Sequence, residues 1–222
     1  MSVSWIVVAW SAIAAASLTL ALIHLVVWLR QRAEYAHLLF SIFAASAAAF
    51  AGFELLLMRA STPASYAEVL KWAHVPLTVF VISVVGFVRW YFGTGRGWLA
   101  FTTCALRILG LGLDFTTGVN VNFREVTSLE PLTLWGGERV VTAVGAVNPW
   151  TVVPQLANLA LLAYIIDAAI TLWRRGDAVS RRRAALVGGS LAVCIGLATS
   201  TAALVLTGTV RAPTLGVSSS SV

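Results

Sequence analysis

Five ionisable side chains lie inside long apolar stretches of the sequence: His24, Glu54, His74, Arg107 and Asp167. Ionisable groups at membrane depth are costly, so they usually face the interior of a helix bundle and often mark a functional site. At a rise of about 1.5 Å per residue, Glu54 and His74 each lie about one turn from the same end of two consecutive antiparallel helices. The sequence therefore predicts a polar cluster close to one face of the membrane.

Two further groups extend this cluster, because Met58 shares a helix face with Glu54 at i+4 and Asp114 ends the fourth apolar stretch. We predict that Glu54, Met58, His74 and Asp114 form a ligand-binding site. Glu54 and His74 are candidate ligands of a transition metal such as copper or zinc, although so few ligands do not complete a metal site. The alternatives are a hydrogen-bonded Glu–His pair that joins two helices, and a proton-sensing site whose histidine titrates near neutral pH.

Arg107 and Asp167 lie well inside the fourth and fifth apolar stretches, and we interpret them as a structural ion pair, since either charge alone in hydrocarbon is expensive. We interpret His24 as a satisfied interior histidine. The sequence has no nucleotide-binding loop, nucleophile elbow or HExxH motif. Cys104 and Cys194 have no metal-ligand spacing. The sequence thus assigns no catalytic residue and leaves enzyme activity open.

The composition determines the class of protein. Of 222 residues, 59% are hydrophobic and 11% charged, with a mean hydropathy of +0.88, whereas soluble domains average about half apolar and about a quarter charged residues. A bilayer is crossed by about 20 apolar residues in a helix. Six stretches are long enough: Ser4–Leu29, His37–Met58, Val69–Tyr91, Trp98–Thr117, Trp150–Trp173 and Ala184–Leu206. We predict an all-α integral membrane bundle of six transmembrane helices, or seven in the full-length protein.

Arginine placement predicts the orientation of this bundle in its membrane. The net charge is +6, and most basic residues fall in three alternate connections: Arg30, Arg32, Arg89, Arg96, Arg174, Arg175 and Arg181–Arg183. Cytoplasmic connections carry the excess of basic residues, so the N-terminus is expected outside. The partner of the basic residues is then the lipid bilayer and not nucleic acid. Residues 1–210 are expected to form the bundle, and residues 211–222 a flexible tail.

The one long connection, at about residues 118–148, is expected on the outer side. Two β-prone runs within Leu132–Thr142 meet at Gly136-Gly137, which predicts a β-hairpin. A lone two-stranded hairpin is marginal in water, so we expect it to pack against the outer mouth of the bundle. There it would be a lid over a ligand cavity, or else a packed loop without a ligand.

Segments spread over about residues 5–210 follow a recognisable pattern. They are Leu20–Trp28, Phe40–Met58, Trp72–Pro76, Asn120–Glu125, Trp135–Glu138, Asp167 and Trp173–Gly176, with the arginine cluster after them. Together they resemble the N-terminal multi-span sensory region of bacterial membrane-bound sensor histidine kinases. In that family a seven-span input module is followed by PAS and kinase domains.

This resemblance implies a homodimeric signal-input domain that senses a ligand, a metal or protons near the outer face. The chain has six apolar stretches and no phospho-acceptor or ATP-binding segment, so we interpret it as an input module truncated before the kinase. Two other classes stay open. One is a small integral-membrane redox protein or enzyme with a bound metal or cofactor, and the other is a transporter component.

Overall fold

The computed structural model describes residues 4–133, 137 and 139–206. Within these residues six helical segments are long and apolar enough to cross a bilayer, which supports the prediction of a multi-pass membrane protein. The helices are α1 (Trp5–Arg30), α2 (Tyr35–Leu57), α3 (Pro63–Phe92), α4 (Gly97–Thr116), α5 (Val152–Arg175), α6 (Ala178–Arg183) and α7 (Gly189–Leu206). A π-helical turn, Ala184–Gly188, joins α6 to α7, so these two helices form the sixth span. The tail predicted at residues 211–222 lies outside the described residues.

Two helices begin earlier than hydropathy predicts, because each has an N-terminal cap. At α3, the Thr62 side chain accepts a hydrogen bond from the Ser65 N–H in a capping box, and Pro63 occupies the first turn. At α6, the exposed Asp177 carboxylate accepts a hydrogen bond from the Ser180 N–H at 2.9 Å. That bond lowers the pKa of Asp177.

Exposed apolar side chains cover the outside of the bundle. In α1 only Ile6 and Ala21 are buried, while large residues such as Leu22 and Val26 are half exposed. A helix that is apolar all round belongs in a hydrocarbon environment. A cluster of buried apolar side chains lies between α3 and α5 and includes Val84, Val88, Leu161 and Ile165.

The three arginine-bearing connections meet at one end of the bundle. Tyr35, after α1, packs edge-on against Trp90 of α3. Arg96 pairs with Asp167 near the end of α5, and the Arg183 guanidinium lies 5.7 Å from the Tyr91 ring centroid. This arrangement is the one that the positive-inside rule requires of cytoplasmic connections.

The two strands pack on the opposite end. β1 (Phe123–Thr133) and β2 (Arg139–Val147) form an antiparallel pair with two bulges, one of them between Val126 and Ser128. Its base packs into a cluster with the start of α3: Leu57, Tyr66, Leu70, Phe123 and Ala143. The predicted hairpin against the mouth of the bundle is therefore confirmed, although the strands extend beyond Leu132–Thr142. Trp135, Gly136 and Glu138 lie outside the described residues.

Gly95, between α3 and α4, provides a test of this packing. Its φ is +96°, and an added Cβ would lie 2.8 Å from Cε2 of Tyr164 and 3.0 Å from Cβ of Ala168. We expect Gly95→Ala to lower the free energy of unfolding by about 2–4 kcal/mol, because a left-handed backbone cost adds to overpacking. Thermal unfolding in detergent measures the change.

Two neighbouring glycines are matched controls for this substitution. Gly93 has a φ of +63° but nothing near its Cβ position, and Gly97 is helical with open space. Gly93→Ala should cost only the backbone part, about 1–2 kcal/mol, and Gly97→Ala should be neutral or slightly stabilising. Equal losses at Gly93 and Gly95 would show that contact with Tyr164 is unimportant.

Candidate ligand-binding site

A partly open cavity of about 480 Å³ lies among the helices, with lining from all six spans. Cavities of this size accommodate small organic ligands. Aromatic and aliphatic side chains provide much of the lining, among them Trp10, Phe50, Leu77 and Phe80. The polar groups that line it come from α3, α4, α5, α7 and the segment before β1: His74, Arg107, Asn122, Gln155, Asn158, Cys194 and Thr199.

Arg107 is the most unusual of these polar residues. It is 3% exposed, and its Nε and Nη2 atoms are buried without a hydrogen-bond partner. The nearest opposite charge that acts on it is Asp114, two turns along α4. Within the described part of the chain, no ion pair involves Arg107. Arg107 therefore lines the cavity and has two buried donors without a hydrogen-bond partner.

The predicted ion pair between Arg107 and Asp167 is wrong. Asp167 pairs instead with Arg96, whose Nε lies 3.3 Å from Oδ1, and its Oδ2 accepts the Arg96 backbone N–H at 2.9 Å. Arg96 precedes α4, eleven residues before Arg107, and this spacing separates them by about 16 Å along the helix axis. Asp167 therefore lies at the depth of the basic end of the bundle and not at that of the cavity.

His74 and Asp114, two of the four predicted ligand-binding residues, lie together. Nδ1 of His74 is 3.2 Å from each carboxylate oxygen of Asp114. A carboxylate only accepts hydrogen bonds when it is ionised, and in that state Nδ1 is the donor of this contact and Nε2 is the ring nitrogen left for another. Asp114 is fully buried and also accepts the Val121 N–H at 2.6 Å. It thus joins the cavity wall to the segment that leads into the hairpin.

Glu54 and Met58 lie apart from this pair. Glu54 is 2% exposed and interacts electrostatically with Tyr66 in the first turns of α3. Among the described residues, no hydrogen bond or ion pair joins Glu54 to His74, and neither Glu54 nor Met58 lines the cavity. The reason is that His74 lies two turns beyond Tyr66 and faces α4, whereas Glu54 faces the start of α3.

The proposed transition-metal site gains no further ligands. Within residues 4–133, 137 and 139–206, no three His, Cys, Asp or Glu side chains lie close enough to hold a metal ion.

His24, interpreted as a satisfied interior histidine, has a partner that the sequence did not indicate. Its Nδ1 lies 2.9 Å from Nδ1 of His37, and its ring packs 4.1 Å from Phe40.

Three asparagines at the base of the hairpin were missed by the sequence analysis. Asn120 donates to the Ala67 carbonyl at 3.3 Å. Asn148 donates to the carbonyls of Thr117 and Asn120. Asn122 lines the cavity, and its carbonyl accepts the Asn148 N–H at 3.0 Å. The sequence signal, closely spaced asparagines beside a turn, indicates only a loop, so a role in joining the hairpin to the bundle could not be inferred from it.

Comparison with protein-family models, with curated proteins and with solved structures finds no match to the chain.

Proposed function

We propose that the chain is the signal-input domain of a sensor histidine kinase in a bacterial inner membrane, with its N-terminus outside. The observation that supports this function best is the cavity among the helices, because every span contributes to it and a buried, unpaired Arg107 lines it. Such a cavity suits a small molecule whose binding changes how the helices pack. The resemblance to sensory regions of this kinase class points the same way.

The signal would travel between two ends of the bundle. On the outer side, the His74–Asp114–Val121 contacts link the cavity to the hairpin. On the basic side, α3 and α5 meet the arginine-bearing connections through Arg96–Asp167 and Arg183–Tyr91. A ligand that favours one arrangement of the cavity helices shifts the population of that arrangement. The cytoplasmic helix ends then move by a small rotation or translation.

Filling the cavity tests this function. Ala47 of α2 lines the cavity, whereas Ala49, two residues along, is exposed on the outside of the bundle. In the full-length gene product in nanodiscs, we expect Ala47→Phe to change the rate of autophosphorylation several-fold. The phenyl ring would occupy the space left for a ligand and so favour one arrangement of the helices, and a bias of about 1 kcal/mol changes the ratio of two arrangements about fivefold. Ala49→Phe should leave the rate unchanged.

Two results would contradict the proposal. The first is a reading frame that ends after codon 222 without phospho-acceptor and ATP-binding segments. The second is an autophosphorylation rate that responds equally to Ala47→Phe and Ala49→Phe, since a cavity that controls the kinase must respond to bulk placed inside it.

A further inference from the structure

We propose that the cavity binds an amphiphile with an oxyanion head group, carboxylate or phosphate, and that Arg107 is the residue that recognises it. The inference rests on the proposed function only in assuming that the cavity is occupied by a ligand. It adds the chemical class of that ligand and the group that selects it.

The guanidinium of Arg107 has two unpaired donors on one edge. Nε and Nη2 of Arg107, both buried and both without a partner, lie on the same edge of the planar group. Two parallel N–H donors on one edge match the two oxygens of a carboxylate or phosphate, and such bidentate pairs are the strongest hydrogen bonds that Arg makes. An oxyanion that reached this edge would satisfy both unpaired donors.

Leaving that edge without a partner costs free energy of folding. Truncating one partner of a buried charge pair is strongly destabilising because the remaining charge stays uncompensated, and Arg107 is in a comparable position. Asp114 partly offsets the charge, but its oxygens are engaged by His74 and the Val121 N–H. A ligand that brings its own negative charge would satisfy Arg107 and leave those contacts intact.

The other residues that line the cavity suit a ligand with one polar end and one apolar end. Amide groups of Asn122 and Asn158 and the His74 ring line the cavity with Arg107, which gives a head group several polar neighbours. Aromatic and aliphatic residues such as Trp10, Phe50 and Phe80 provide surface for an apolar tail. A small inorganic anion would leave that apolar surface unused, so the ligand is an amphiphile.

Binding of four probes with one tail tests the head group: decanoate, decyl phosphate, decanol and decyltrimethylammonium. Phosphatidylcholine nanodiscs without protein give the partition background for each. We expect decanoate and decyl phosphate to bind saturably to the wild-type chain, and the other two to show the background alone. Arg107→Gln should weaken the binding of both anions by at least about tenfold, and Arg107→Lys by less, because it keeps the charge without the fork.

The stability of the ligand-free protein separates recognition from a structural role. Because Arg107 is an uncompensated buried charge, Arg107→Gln should unfold at a temperature no lower than the wild type. The proposal would be overturned if Arg107→Gln unfolded the chain. It would also be overturned if this variant bound the two anions as tightly as the wild type does. Equal binding of decanol and decanoate would also overturn the proposed oxyanion site. It would not contradict the sensory function, which is tested separately by the effect of Ala47→Phe on autophosphorylation.

The source of the head group is assigned by a second bilayer. In nanodiscs that contain phosphatidylglycerol, a lipid head group in the site would compete with decanoate and weaken its binding to the wild type. With a free amphiphile as the natural ligand, the decanoate affinity stays the same in both bilayers. Either result supports an oxyanion site at Arg107, provided that Arg107→Gln removes the binding.

Discussion

Asp114→Ala should lower the free energy of unfolding by about 3–5 kcal/mol, because it removes a buried acceptor from two donors and leaves the buried charge of Arg107 without the carboxylate that partly offsets it. The carboxylate is fully buried, it contacts His74 at 3.2 Å and it accepts the Val121 N–H at 2.6 Å. Alanine would leave that N–H and the imidazole without an acceptor, and Arg107 without its nearest negative charge. Equilibrium unfolding of the purified chain in mixed micelles measures the loss.

Asp167→Ala is the matched control for this substitution. Asp167 also accepts a backbone N–H and also faces an arginine. Its side chain, however, is 21% exposed and that of its partner Arg96 is 68% exposed, so water replaces the lost contacts. We expect a loss of about 1 kcal/mol or less. Similar losses at Asp114 and Asp167 would mean that burial does not determine the strength of the Asp114 contacts.

Gly145→Ala should separate the two strands of the hairpin while the helices stay folded. Gly145 pairs with Val126 beside a bulge, and an added Cβ would overlap the carbonyl oxygen of Glu125 and lie 2.9 Å from Cα of Val126. Both obstacles are backbone atoms that cannot rotate away, so overpacking costs about 3 kcal/mol or more. A two-stranded sheet has little stability to lose. Hydrogen exchange of the strand amides should therefore accelerate by about 100-fold.

Ala146→Val is the control for Gly145→Ala, because Ala146 is the next residue and is exposed. A β-branched residue suits an exposed strand position, so exchange should stay at the wild-type rate. If the strand amides are equally protected in Gly145→Ala and in the wild type, the close approach of Gly145 to Glu125 does not occur in the protein.

The sequence was sufficient for the number of helical segments long and apolar enough to cross a bilayer, because that property depends on length and hydropathy alone. It was less accurate for where helices begin. Hydropathy placed the start of the third span at Val69, since the residues before it include Ser65 and Glu68, yet capping by Thr62 starts the helix at Pro63. Caps act through single hydrogen bonds, and these do not register in an average over many residues.

Part of the candidate site could be predicted from the sequence and part could not. Depth along a helix follows from residue counting, which placed His74 about one turn from the end of its span and Asp114 at the end of the next span, and the structure joins these two. Which neighbour a helix face meets depends on the packing of all spans, and counting cannot supply it. Glu54 was therefore assigned to His74, and Arg107 to Asp167. Uncharged cavity residues such as Asn158 carried no signal, because an amide near a helix end is common.

The π-helical turn at Ala184–Gly188 joins the two halves of the sixth span and determines how far α7 is rotated about the helix axis relative to α6. A single π turn accommodates one extra residue, and one residue corresponds to a rotation of about 100° in a regular helix. The arginines of α6 and the cavity-lining Thr199 of α7 are thus held in register by that one residue. A lineage that lost it would keep both sets of side chains and a span of nearly the same length, but would present a different face of α7 to the cavity. The lining of the cavity could in this way diverge by a one-codon deletion, without a substitution at any residue of α7.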